Sequence, residues 1–476
     1  MLFDTPIYLV FITIIVLIYW RLGHKSQNIF LLVASYFFYG WWDWRFLSLI
    51  LISTVVDYCC ARYISRSVNS IHRRLLLSIS VILNISFLGF FKYFDFFIDS
   101  TAHVLDFFGI PVSHAVLGII LPPGISFYTF QELAYIVDVY QRKLDAAESL
   151  VDYGLFICLF PHLIAGPIQR PAHLLPQVQQ PRQFNSGIFF DGLMLICIGL
   201  FRKTVIADNC ALLANAAFSG KLGAPSIAVT MIGIYAFAWQ IYGDFSGYSD
   251  MARGSAQLLG FHFMVNFRQP YLSRSLQDFW RRWHISLSSW LRDYLYIPLG
   301  GNRRGGGRTY RNLMTTMLLG GLWHGANWTF VIWGGIHGAW LSLERLGNSL
   351  LGRTEQSRVE SVGLFSLRGW GQRIFLFHLV CFTWVFFRAA SFGRALHYLS
   401  GLSRFEWKTE YWTAIKFLAT FTLPLFLLDL LLEVRAEEYP FEKRSEIVRI
   451  AFAALLLVCV AFFAANAITA FIYFQF

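Results

Sequence analysis

The chain has 476 residues, 56% hydrophobic, 18% aromatic and only 14% charged, whereas soluble domains carry about 25% charged residues. That composition excludes an ordinary soluble protein and places the chain in a lipid bilayer. The formal charge of +11 is explained by the Lys and Arg excess of cytoplasmic loops in a multi-pass protein, so no nucleic-acid partner is expected.

Apolar stretches of roughly the 20 residues needed to cross hydrocarbon recur from Pro6 to the last residue and give about ten to twelve expected crossings. Ile7–Trp20 follows Asp4, not a basic segment, and no small-residue cleavage site comes after it. It is expected to remain as a span. Arg21 and Lys25 then mark the cytoplasmic side and leave the N-terminus outside. Asn28–Cys60 reads as two helices joined by an aromatic turn at Gly40–Arg45, returning to a basic loop at Arg62–Arg74.

Leu76–Phe97 leads out again and Leu117–Tyr140 leads in, with a break at Pro122-Pro123-Gly124. Further breaks are expected at Phe160–Pro167 and Tyr242–Gly247, and broken backbone at membrane depth requires protein or a polar cavity to satisfy it. The last spans are Arg373–Val385, Trp412–Leu432 and Ile447–Phe474. With Glu433–Arg449 inside, the C-terminus lies outside. No internal repeat, soluble domain or linker is visible, so residues 1–476 form one membrane domain. The seven cysteines lie in or beside apolar segments without metal or disulfide spacing, and no metal is expected.

Two segments carry chemistry. Leu313–Leu343 contains no Asp, Glu, Lys or Arg, yet holds His324, expected near the bilayer midplane, with Gly320-Gly321, Gly325 and Gly334-Gly335 around it. An intramembrane ionisable side chain is a functional hypothesis by default; a neutral imidazole satisfied by a neighbouring carbonyl is the alternative. His337, about 220° further around a helix, shares no face with His324 unless the helix breaks, and is read as structural. Asp278–Asp293 reads as an amphipathic helix with Trp283, His284, Leu287, Trp290 and Leu291 on its buried side.

From Arg268 to Arg311 there are nine arginines and no lysine. Arg281, Arg282, Arg292, Arg303 and Arg304 could bind donor phosphates, and positive-inside bias accounts for the patch equally well. Asp244, Asp250 and Asn327 are candidates for orienting an imidazole or capping helices, with capping favoured for the two acids. No nucleophile elbow, P-loop, zinc motif or dinucleotide fingerprint is present.

WRRWHISLSSWLRDYLYIPLGGNR (Trp280–Arg303) and LLGGLWHGANWTFVIWGGIHG (Leu318–Gly338) resemble the signature of the membrane-bound O-acyltransferases, in the bacterial branch of alginate O-acetylation proteins. LPPGISFYTFQ, FPHLIAGPIQR, YGDFSGYSDMA and the closing FIYFQF extend the likeness over the whole chain. The resemblance implies an all-α polytopic fold with tilted and re-entrant helices ringed around a tunnel. It makes His324 the catalytic base, with His284 its companion in orienting or polarising a thioester carbonyl.

It further implies a cytoplasmic acetyl-CoA donor without a tightly bound cofactor, periplasmic acetyl-transfer partners, and exopolysaccharide O-acetylation, of alginate or cellulose, at a bacterial inner membrane. The C-terminal motif 471–476 resembles that of D-alanylation systems and makes Tyr473 a candidate acyl acceptor, an aromatic belt being the other reading. A D-alanyl transferase using a carrier-protein thioester, and a transporter, are the alternative functions.

Overall fold

A computed structural model describes residues 1–110, 117–164, 166–303, 305–352, 366–465 and 471–472. Among them all regular structure is helical. The helices are α1 (Pro6–Tyr19), α2 (His24–Asp43), α3 (Leu47–Arg66), α4 (Ser70–Leu88), α5 (Phe94–Phe107), α6 (Ile125–Tyr140), α7 (Leu150–Cys158), α8 (Phe160–Leu163), α9 (Pro171–Gln179) and α10 (Ser186–Leu200). They continue as α11 (Asp208–Phe218), α12 (Ile227–Leu258), α13 (Leu276–Arg282), α14 (Ile285–Leu291), α15 (Gly306–His324), α16 (Trp328–Leu350), α17 (Leu367–Arg388), α18 (Phe392–Ser400), α19 (Thr409–Arg435) and α20 (Glu446–Phe463).

Among the described residues five helical stretches, His24–Arg66, Ser70–Phe107, Leu367–Arg388, Thr409–Arg435 and Glu446–Phe463, are long and apolar enough to cross a bilayer. Large apolar side chains such as Ile447 and Phe462 on α20 stay exposed, as they should where the surrounding solvent is lipid. The protein is therefore an all-α, multi-pass membrane protein. His24–Arg66 holds 43 residues, about 64 Å of helix at 1.5 Å per residue, twice a hydrocarbon core of about 30 Å. Its middle is the expected aromatic turn. Asp43 leaves helical backbone (φ −159°, ψ 109°) and its carboxylate accepts from the Arg45 N–H.

The chain divides into two compact units. The first comprises residues 1–196 and 249–264. In it, Thr5 caps α1 with Pro6 at the first position, and Tyr8, Phe11, Phe38 and Phe160 form an aromatic cluster with ring centroids 5.2–6.4 Å apart. The expected breaks are present. Gly124 adopts left-handed backbone (φ 77°) directly before α6, and Leu159 separates α7 from the single turn of α8.

The second unit comprises residues 197–248 and 265–476. Here the expected break at Tyr242–Gly247 does not occur, because α12 runs unbroken through it. Gly243 and Gly247 serve packing instead: a Cβ would lie 3.0 Å from the Arg202 carbonyl oxygen at one and 2.8 Å from that of Gly199 at the other. Asp244, between them, is charge-paired. Lys203 Nζ lies 2.9 Å from Asp244 Oδ1 and 2.8 Å from Asp208 Oδ1, with all three side chains buried. Asp244 thus neither caps a broken helix nor is needed to. Asp250, in the first unit, faces Arg253 at 3.6 Å.

Removing one partner of a buried ion pair leaves an uncompensated charge and costs about 3–5 kcal/mol. Lys203→Ala should accordingly lower the midpoint of thermal unfolding in detergent sharply, while Arg45→Ala, which disrupts an exposed pair, should leave it nearly unchanged; equal midpoints for the two would refute the assignment.

Candidate active site

The segment around His284 is two short helices, not the single amphipathic helix expected over Asp278–Asp293. Ser275 accepts from the Asp278 N–H (3.1 Å), and Glu344 of α16 accepts from the Leu276 and Gln277 N–H groups (3.3 and 3.2 Å), so the start of α13 is fully capped. The helix stops at Trp283, which is extended, and His284 is left-handed (φ 44°, ψ 53°) before α14 begins. Trp283, His284, Leu287, Trp290 and Leu291 are nevertheless all buried as expected, because both short helices turn their apolar residues inward.

A non-glycine residue in left-handed backbone costs about 1–3 kcal/mol and persists only where its surroundings over-determine it. Asn266 does this. Its backbone oxygen accepts from the Ile285 N–H (2.9 Å) while Arg268 N–H donates to the Arg282 carbonyl (2.9 Å). Its Oδ1 accepts from the Ser286 N–H (3.2 Å) and Oγ–H (2.9 Å), and lies 3.2 Å from His284 Nδ1. The backbone N–H can only donate, which fixes the amide orientation with the oxygen toward the imidazole. Nδ1 therefore carries the proton and Nε2 the lone pair. Sequence reasoning missed Asn266, and no spacing rule would have singled it out.

His324 is the last residue of α15, and Gly325 beyond it is extended. The uncharged stretch Leu313–Leu343 thus lies in a hairpin of α15 and α16 with His324 at the tip. The glycines noted in the sequence make the hairpin possible: a Cβ on Gly321 would sit 2.2 Å from the Phe330 carbonyl oxygen, and one on Gly334 2.2 Å from that of Met317. Asn327 is the N-cap of α16, accepting from the Thr329 N–H at 2.9 Å.

The hairpin tip and the His284 turn meet. The two imidazole centroids are 6.4 Å apart with planes inclined by 58°. Phe245 (4.6 Å, edge-on) and Trp323 (5.8 Å) flank His284, and Trp323 (5.0 Å), Trp333 (5.2 Å) and Phe387 (5.2 Å) surround His324. Both histidines are buried, at 0% and 3% exposure. Both imidazoles are thus enclosed by aromatic rings, where a polar contact is stronger than in water.

His337 also abuts Trp333 (4.7 Å). Thr383 Oγ–H donates to the Val380 carbonyl, so its oxygen accepts from His337 Nε2 at 2.9 Å. One ring nitrogen of His337 is thereby engaged, while Nδ1 is buried without a hydrogen bond among the described residues.

Two arginines of the patch pair with acids of the protein. Arg282 bonds Asp278 (2.9 Å) and makes a bidentate pair with Glu433 (2.7 and 3.1 Å), joining two segments that the charge rule assigns to the cytoplasmic side. Arg292 pairs with Asp293 at 2.7 Å; Arg281 and Arg303 are exposed, and Arg304 lies outside the described residues. Tyr473 also lies outside them, but the chain just before it is held. Ile472 N–H donates to Asp244 Oδ2 (2.7 Å), and Phe471 packs on Tyr248 (4.2 Å) and on Phe245 (5.9 Å), the ring that flanks His284.

The fold is thus an all-helical membrane domain that buries two neighbouring imidazoles among aromatic rings. The sequence model of the membrane-bound O-acyltransferase family matches residues 142–355, which include both histidines. The "Probable alginate O-acetylase AlgI" of Azotobacter vinelandii is 42% identical over 412 residues, covering 86% of this chain and 79% of the relative. That of Pseudomonas aeruginosa is 44% identical over 391 residues (82% and 72%), and the peptidoglycan O-acetyltransferase of Helicobacter pylori is 37% identical over 435 (84% and 80%). The chain belongs to the membrane-bound O-acyltransferase family and is an O-acyltransferase.

Outer partners that fix an imidazole's tautomer are worth about ten- to a hundredfold in activity where measured at metal sites. Asn266→Ala is expected to lower kcat by a similar factor with KM little changed in a chain that still elutes as folded protein; unchanged kcat would show that Asn266 only shapes the turn.

Proposed function

We propose that this protein transfers an acetyl group from cytoplasmic acetyl-CoA across a bacterial inner membrane to an acceptor hydroxyl on the periplasmic side, for O-acetylation of an exopolysaccharide. The observation that carries the reading is the pair of buried imidazoles 6.4 Å apart in a chain whose relatives are named for the O-acetylation of alginate and peptidoglycan. Alginate is the favoured polymer, with cellulose the competitor. Both chain termini are placed in the periplasm, where acetyl-transfer proteins and the polymer machinery would meet the enzyme, and the family's tunnel would bring donor and acceptor to the site from opposite faces.

In this scheme His324 removes the proton from the acceptor hydroxyl, the oxygen attacks the thioester carbon, and the departing thiolate recovers the proton from the imidazolium. His284 Nε2, a lone-pair acceptor, suits orientation of the incoming hydroxyl; polarising a carbonyl would need a proton on that nitrogen. The donor phosphates are assigned to the arginine patch, of which Arg281, Arg292 and Arg303 are exposed, with Arg304 next to Arg303 in the sequence; Arg282 is the member held by Glu433. Tyr473 is the proposed first acceptor. The anchoring of Ile472 by Asp244 supports this by bringing the C-terminal motif to the ring that flanks His284.

A general base contributes about a hundred- to ten-thousand-fold. Membranes carrying His324→Ala should lose acetylation of purified polymer by that factor, and retained activity would sink the assignment. Replacing acetyl-CoA by a D-alanyl-charged carrier protein should give no product; transfer from the carrier would reverse the choice of donor. Consumption of acetyl-CoA by the purified enzyme argues against transport. Mass spectrometry of the C-terminal peptide after donor exposure should show an acetyl group that is absent in Tyr473→Phe, and an unmodified peptide during turnover would leave Tyr473 as a membrane anchor.

A further inference from the structure

The first unit buries two carboxyl groups that acyl transfer does not use. Asp57 on α3 accepts from Ser80 Oγ (2.5 Å) and Asn84 Nδ2 (2.8 Å), both on α4. Glu132 on α6 accepts from Ser53 Oγ (2.7 Å), one turn before Asp57 on α3. Both side chains are wholly buried. Among the described residues no Lys, Arg or His is paired with either, and the ionisable group acting on Glu132 is Asp57, another acid.

The remaining groups near the pair are neutral formers of hydrogen bonds. Tyr128, one turn before Glu132 on α6, and Tyr153 on α7 feel the field of Glu132, and Tyr153 that of Asp57 as well. Tyr39 on α2, Cys60 on α3, Tyr135 on α6 and Cys158 on α7 also lie here, and among the described residues the one cation acting on this group is Arg62 of α3, on Tyr135. Glu132 Oε2 and the hydroxyls of Tyr128 and Tyr153 are buried and make no hydrogen bond among the described residues. Nearly all such groups in proteins find partners, so this site holds more hydrogen-bonding capacity than the protein itself consumes.

A carboxyl group in an apolar surround without a cation neutralises by taking a proton, and two adjacent acids do not both ionise there. Asp57 has two donors to stabilise an anion, whereas Glu132 has one and an oxygen to spare. We propose that Asp57 and Glu132 form an exchangeable proton-binding site within the membrane domain, with Glu132 carrying the proton.

The test is reaction of the full-length protein in its membrane with dicyclohexylcarbodiimide, which modifies protonated carboxyls in apolar surroundings. The acid proton moves to a carbodiimide nitrogen, the carboxylate oxygen bonds to the central carbon, and the adduct rearranges to a stable N-acylurea with no atom lost. Peptide mass spectrometry should find the adduct on Glu132, with a labelling rate that falls by about tenfold or more as the pH is raised and the proton is lost. In Asp57→Asn, which removes the neighbouring acid, that fall should move to lower pH.

No adduct on Glu132 at any pH, or a rate indifferent to pH, would overturn the proposal, the latter showing a permanently neutral structural group. Protection by sodium at fixed pH would overturn it in favour of a metal cation. Labelling requires no acyl transfer, so its outcome stands apart from the proposed reaction.

Discussion

In hydrocarbon a backbone N–H or C=O has no water to turn to, and the breaks in this protein's helices stand where another segment takes up the freed groups. The turn at His284 is the clearest case. Two backbone hydrogen bonds bracket it, and the Asn266 side chain closes it by accepting from Ser286 and the imidazole. Without such a partner the left-handed residue would relax into a continuous helix, and His284 would no longer meet the hairpin tip that carries His324.

Charge obeys the same constraint. Lys203 sits between Asp208 and Asp244, and the second oxygen of Asp244 holds the chain at Ile472. One buried cation thereby joins α11, α12 and the C-terminal segment. Arg282 ties α13 to the end of α19 through Glu433 in the same way. These pairs contribute modestly to net stability, but each leaves a desolvated charge if the segments separate, so they specify which segments adjoin.

The site itself is built mostly of rings. Phe245, Trp323, Trp333 and Phe387 enclose the two imidazoles, which lowers the local dielectric and strengthens the few polar contacts that remain. Both His324 and His337 rest on Trp333. Their surroundings differ: Thr383 occupies one nitrogen of His337, whereas His324 lies 6.4 Å from the ring of His284.

Membrane residence, the interfacial turn at Asp43–Arg45 and the breaks at Gly124 and Leu159 were legible in the sequence, because hydropathy, proline and glycine act over a few residues. His284 and His324 stand out in the sequence as histidines on a buried helix face and in an uncharged stretch, and the folded chain brings their rings within 6.4 Å. The continuity of α12, the interruption of Asp278–Asp293, the hairpin at Gly325 and the tautomer of His284 were decided only by tertiary structure. Each depends on a group distant in the chain: the Gly199 and Arg202 carbonyls and Lys203 beside α12, Asn266 beneath His284, and the Phe330 and Met317 carbonyls against Gly321 and Gly334. Local composition says that a buried polar group needs a partner; only the folded chain determines which residue it is.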